Sequence, residues 1–85
     1  MTDTPTKADL VATAGTALYG ERWVAPLARD LNVNTRTMER IAQAAYKDAS
    51  YRVADGLIED LHRLVDERGT ALRDVSRALH KARMA

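Results

Sequence analysis

The chain has no cysteine and no phenylalanine, a single tryptophan and only two prolines among its 85 residues. Without cysteine there is no disulfide, no thiolate zinc site and no thiol nucleophile. Without phenylalanine the apolar content falls to alanine, leucine and valine, small aliphatic side chains that suit close-packed helices. No stretch approaches the roughly 20 apolar residues needed to cross a bilayer. The opening Met1-Thr2-Asp3-Thr4-Pro5 lacks the basic-then-apolar pattern of a secretory signal, so the expected location is the cytoplasm, away from membranes. His62 and His80 have no second ligand at metal spacing. The serines stand singly, and neither histidine has a carboxylate or nucleophile partner in a nameable motif. These gaps argue against an enzyme and leave no metal, cofactor or small-molecule ligand to expect.

What is present is the balance of a folded globular chain, 46% apolar and 29% charged, at a length that allows one domain over residues 1–85. A chain this short buries a modest share of its surface and leaves little room for an enzyme cleft. The net charge of +1 conceals a strong segregation. Residues 21–52 hold Arg22, Arg29, Arg36, Arg40, Lys47 and Arg52 against four carboxylates, a balance of +2. Between Val53 and Glu67 five carboxylates face one arginine, a balance of −4, and from Arg68 to Ala85 five cations face one aspartate, a balance of +4.

Helical periodicity dominates and no segment alternates like a strand, so the expected fold is an all-α compact bundle of about five helices. The first is predicted over Pro5–Leu18, with Thr4 as its cap and Pro5 at the first helical position. Its inward face reads Leu10, Val11, Ala14 and Leu18, and Gly20 stops it. The second covers Trp23–Asp30, with Pro26 tolerable only in its first turn. The third follows Asn34 as cap and runs to Tyr46, with Met38, Ile41, Ala42 and Ala45 inward. The fourth covers Val53–Arg68, started by Asp55 or by Ser50, with Leu57, Ile58, Leu61, Leu64 and Val65 as its stripe. Gly69 ends it. Thr70 then caps a fifth helix to Arg83 that presents Leu72, Val75, Leu79 and Ala82.

The informative stretch is residues 24–43, VAPLARDLNVNTRTMERIAQ. Two short helices meet across Leu31-Asn32-Val33. A tight helix-turn-helix needs a small residue where the helices cross, and Ala28 supplies it. Leu27 and Leu31 flank the crossing. The turn needs a residue that accepts a left-handed backbone, for which glycine is best and asparagine next, and Asn32 stands there. Val33 turns back inward, Asn34 caps the next helix, and Met38 and Ile41 face the core.

These residues resemble the helix-turn-helix of small phage and bacterial regulators of the lambda-repressor and Cro type. LARDLNVNTRTMERI is similar to that family's Leu-Ala, Leu-Gly-Val, polar-Arg-Thr, apolar and Arg pattern, with Asn32 where the family prefers glycine. LYGERWVAPLARDL also looks like short prophage-encoded proteins carrying the motif. The resemblance implies that the third helix enters the major groove of double-stranded DNA and reads base edges with its N-terminal part. Arg36 and Arg40 share a face and suit guanine, and Gln43 suits adenine. Asn34, Thr35 and Thr37 suit phosphates near the positive helix end. Glu39 either accepts from cytosine or only orients Arg36 or Arg40, and Lys47 is either a phosphate contact or solvated surface.

Two functions follow. The first is a sequence-specific DNA-binding regulator that acts as a homodimer, repressing transcription by occupying an operator or else activating it through a polymerase contact. The second is a helical protein-interaction module, of antitoxin or phage-inhibitor kind, that keeps the motif without reading DNA; the low net charge and Glu39 favour it. Trp23 is read as a core anchor, Tyr19, Tyr46 and Tyr51 as boundary packing, and the tail arginines as solvated surface. The stripe on the last helix either forms a dimer seam or closes the monomer core.

Overall fold

The computed structural model describes residues 5–84, and its first helix, α1 (Lys7–Tyr19), begins at a reciprocal cap. Thr6 Oγ1 accepts from the Asp9 amide at 3.1 Å, and the Asp9 carboxylate accepts from the Thr6 amide at 3.0 Å. This box satisfies two orphan amides where a single threonine cap satisfies one. The start therefore lies at Thr6, not at Pro5, and Thr4 is outside the described residues. The inward face is also turned from the expected one. Ala8, Val11, Ala12 and Gly15 are buried, whereas Leu10 is 47% exposed. Small residues face inward because Trp23 packs directly on this helix: a Cβ at Gly15 would lie 2.4 Å from Trp23 Cε3. Gly20, at φ 84°, stops the helix and donates its amide to Thr16 O at 2.9 Å.

Three further helices complete the described chain: α2 (Val24–Asp30), α3 (Thr35–Ala44) and α4 (Asp55–Met84), with no strand among the described residues. Pro26 sits in the first turn of α2, where its missing amide costs nothing. The best-buried large side chains, Val11, Leu27, Met38 and Ile41, come from α1, α2 and α3 and meet at the centre. Trp23 closes one side as the expected anchor, and Ala44, Ala45, Val53 and Leu61 close the others. α3 ends at Ala44, short of the expected Tyr46; Ala45 is buried as expected, Ala44 is buried as well, and Ala42 is half-buried.

The described residues form four helices where about five were expected, because α4 runs unbroken through Gly69 for 30 residues. A helical glycine costs about 1 kcal/mol relative to alanine. Its neighbours Glu67, Arg68, Ala71, Leu72 and Arg73 are strong helix formers, and Arg73 Nε donates to Gly69 O at 3.3 Å. Asp55 is the first helical residue, and Ala54 O accepts from Leu57 and Ile58 at 3.1 and 3.3 Å, so neither Asp55 nor Ser50 caps the helix. At about 1.5 Å per residue α4 is about 45 Å long. Its first half packs on the core through Leu57, Ile58, Leu61 and Leu64, and from Ala71 to Met84 every residue is exposed. The apolar stripe of Leu72, Val75 and Leu79 thus does not close the monomer core. No described helix is long and apolar enough to cross a membrane.

Candidate functional site

The segment between α2 and α3 is four residues long, and the amides of its first three residues have local partners. Leu31 N donates to Leu27 O at 2.9 Å, Asn32 N to Arg29 O at 3.1 Å and Val33 N to Ala28 O at 2.8 Å. Asn32 takes the left-handed conformation, φ 55°, that the sequence demanded of it. Ala28, 1% exposed, lets the two helices approach, and Val33 turns back against the core. Asn34 then caps α3, its Oδ1 accepting from the Arg36 amide at 2.8 Å.

Met38, Ile41 and Ala44 are buried and Ala42 is half-buried, and the remaining residues of α3 point to solvent. Asn34, Thr35, Arg36, Thr37, Glu39, Arg40 and Gln43 are all exposed. Five of them form two rows. Arg36 and Arg40 form one, four residues apart. Thr35, Glu39 and Gln43 form the other and line an open groove of about 480 Å³ whose far wall is Arg22, Val24 and Ala25. No ion pair within 4.0 Å joins Glu39 to Arg36 or Arg40 among the described residues. The two guanidinium groups are therefore not committed to Glu39, and the expectation that it orients them has no contact behind it. Lys47 is exposed beyond the helix end, its amide held by Ala44 O at 3.0 Å. Arg22, on the groove rim just before α2, belongs to this surface although sequence reading did not place it there; its position two residues before the motif was the available signal.

Two braces that sequence reasoning missed hold α2 and α3 in place. Tyr46, immediately past α3, sits at φ 65°, a conformation that costs an L residue about 1–2 kcal/mol. It is held by Asp9, whose Oδ1 accepts the Tyr46 amide at 2.6 Å, and by a 2.6 Å hydrogen bond between its hydroxyl and Thr13 Oγ1. The amides of Thr6 and Tyr46 keep the Asp9 carboxyl below its ordinary value of 3.8, against a smaller upward push from burial. The second brace gathers Tyr19, Asp30 and Arg68. The Tyr19 hydroxyl donates to Asp30, Arg68 Nη2 donates to the same Asp30 oxygen at 2.9 Å, and the guanidinium stands 5.8 Å from the Tyr19 ring centre. Arg68 is thus not plain solvated surface: it ties α4 to the end of α2. These contacts hold Asp30 low, the Tyr19 hydroxyl being the largest cause, and burial first and then Asp30 push Tyr19 up. His62 lies 3.5 Å from Asp66, and no group of three metal-ligating side chains occurs among the described residues.

Compared with family models, curated proteins and solved structures, the chain matches none of them.

Proposed function

We propose that α2 and α3 form a helix-turn-helix that binds double-stranded DNA with the exposed face of α3 in the major groove, and that the protein is a transcriptional repressor of phage or bacterial type. The observation that carries this reading is the junction itself: a left-handed Asn32 between helices crossing at Ala28, followed by an Asn34-capped helix that buries Met38 and Ile41 and leaves Arg36 and Arg40 free. An uncommitted arginine can pair bidentately with guanine O6 and N7. The Arg36–Arg40 row supplies two at one helical turn. Gln43 follows Arg36 by two turns and is placed for an adenine. Thr35 and Thr37 stand by the helix N-terminus, where backbone amides and the helix dipole favour a phosphate. Arg22 and Lys47, at opposite margins of the surface, suit the flanking backbone. Occupancy of an operator blocks polymerase without any effector module.

The groove beside α3 favours a second reading, a protein-interaction module. Val24, Ala25 and Ala42 give it an apolar lining beside Glu39, an arrangement that suits a partner side chain better than a phosphate.

Selection of a duplex site from a random pool, followed by fluorescence anisotropy against it, tests the first reading. The expected result is one enriched motif and an affinity that falls with salt. Absence of any enriched sequence, with binding no tighter than to random duplex, leaves the interaction module as the function.

A further inference from the structure

The exposed half of α4 carries a seven-residue apolar repeat that continues from the packed half. Ile58, Val65, Leu72 and Leu79 occupy one position of the repeat, and Leu61, Val75 and Ala82 the other. Ile58 and Leu61 are spent on the core, but Leu72, Val75 and Leu79 are 66%, 54% and 60% exposed. A stripe of this spacing is the seam of a two-helix coiled coil. Helix without tertiary packing is marginal at about 12–15 residues, which is the length of the segment from Ala71 to Met84, so a partner surface would stabilise it. The flanks of the stripe are small and uncharged, with Ala71 and Ala78 on one side and Gly69 and Ser76 on the other. They let a second helix approach closely.

The charge pattern says which helix. α4 is acidic up to Glu67, with a balance of −4, and basic from Arg68 on, with a balance of +4, so its two ends carry opposite charge. A parallel copy would set acid on acid and base on base. An antiparallel copy sets each acidic end on the other's basic end. We propose that the protein forms a homodimer through an antiparallel coiled coil of α4, with Leu72 of each copy against Val75 of the other and Val65 against Ala82. In this register Asp66 of one copy stands at the axial level of Lys81 of the other, on the outer surface of the pair. Arg68 occupies a seam position, but its head is drawn to Asp30, so its aliphatic stem covers Leu79 of the second copy while its charge stays outside. The overlap from Val65 to Ala82 is about 26 Å long, and the two globular ends lie at opposite ends of it without meeting. The inference rests on α4 alone and holds whether or not α3 reads DNA.

The absence of cysteine makes the test direct. Val65→Cys and Ala82→Cys, both at exposed positions, are made as separate full-length proteins, oxidised alone and then mixed without DNA. The expected result is a disulfide-linked dimer that forms efficiently only in the mixture. Cross-linking of Val65→Cys to itself and of Ala82→Cys to itself, with none gained by mixing, would overturn the antiparallel arrangement. In parallel, sedimentation equilibrium of the unmodified protein should give a concentration-dependent dimer that Leu72→Glu with Leu79→Glu converts to monomer, with the helical circular-dichroism signal of α1–α3 retained. A monomer at every concentration would overturn the proposal.

Discussion

Gly15 and Gly69 both sit inside helices, and the same substitution should act on them with opposite sign. At Gly15 a Cβ would stand 2.4 Å from Trp23 Cε3, 2.6 Å from Cδ2 and 2.9 Å from Cγ. Carbon atoms pack at about 3.5–4.0 Å, so the indole must retreat by about 1 Å. It is 7% exposed and wedged among the core residues, so its retreat displaces them too. Overpacking of this kind costs about 1–3 kcal/mol, and a contact with a rigid ring belongs at the upper end. Replacing a helical glycine by alanine returns about 1 kcal/mol. The expected net loss for Gly15→Ala is about 1–2 kcal/mol, a melting temperature lower by about 4–16 °C in a domain of this size. At Gly69 the nearest atom to a new Cβ is the far end of the Arg73 side chain, 3.6 Å away. Gly69→Ala should therefore keep most of the helix gain, raising stability by up to about 1 kcal/mol. Circular-dichroism melts of the two variants against the parent give both numbers. A stabilised Gly15→Ala protein would refute the Trp23 packing. A destabilised Gly69→Ala protein would mean that Gly69 is a left-handed helix stop and that α4 is two helices.

Three other perturbations probe the junction and the proposed reading face. Asn32→Gly should be neutral or stabilising and Asn32→Val destabilising by about 1–2 kcal/mol, because only the second forces a branched side chain into a left-handed backbone; equal melting temperatures would remove the strain argument. Ala28→Leu should cost about 1–3 kcal/mol by wedging α2 from α3, again read by thermal melts, and a fully stable variant would contradict the close crossing. Arg36→Ala or Arg40→Ala should weaken binding to a selected duplex by about 1–3 kcal/mol and relax one base pair, whereas Lys47→Ala should weaken all duplexes alike and lower the salt slope; unchanged affinity in both arginine variants would move the reading face elsewhere. Acid should loosen the end of α3. The Asp9 carboxyl is held below 3.8 by the Thr6 and Tyr46 amides, so its contribution to stability is complete above that value and is lost as pH falls from it toward the lowered native value. Asp9→Asn should flatten this part of the acid limb, and parallel acid limbs for variant and parent would exclude the brace.

The helical class and the α2–α3 junction were legible in the sequence because they rest on local rules. Ala28, Asn32, Asn34, Met38 and Ile41 each satisfy a demand made by residues within one or two turns. The rotation of α1 was not legible for the opposite reason. Leu10 and Leu18 are more apolar than Ala8 and Gly15, and only the approach of Trp23, eight residues past Gly15, makes the small residues the inward ones. Gly69 misled in the same way. A glycine before a threonine has the composition of a stop and a new cap, but the strong helix formers on either side outweigh its cost of about 1 kcal/mol.

The candidate surface divides along the same line. Arg36, Arg40 and Gln43 follow from the helix period once Met38 and Ile41 are placed inside, so their exposure was predictable. What holds that surface in register was not. Tyr46 adopts a positive φ that nothing in its own neighbourhood favours; the Asp9 carboxylate that secures it lies 37 residues away and was already needed for the Thr6 cap. Asp30 is likewise secured from both sides, by Tyr19 on α1 and by Arg68 on α4. Each brace uses a carboxylate at a helix end to join elements distant in sequence, which no periodicity encodes. Their consequence is specific: α2 is tied at its C-terminal end to α4, and α3 at its C-terminal end to α1. The short turn at Asn32 then joins two helices that are each anchored independently. Cutting either brace should therefore tilt one helix against the other before it melts the core, so that loss of DNA affinity in Arg68→Ala or Asp9→Asn would precede loss of the Trp23–Leu27–Ile41 packing.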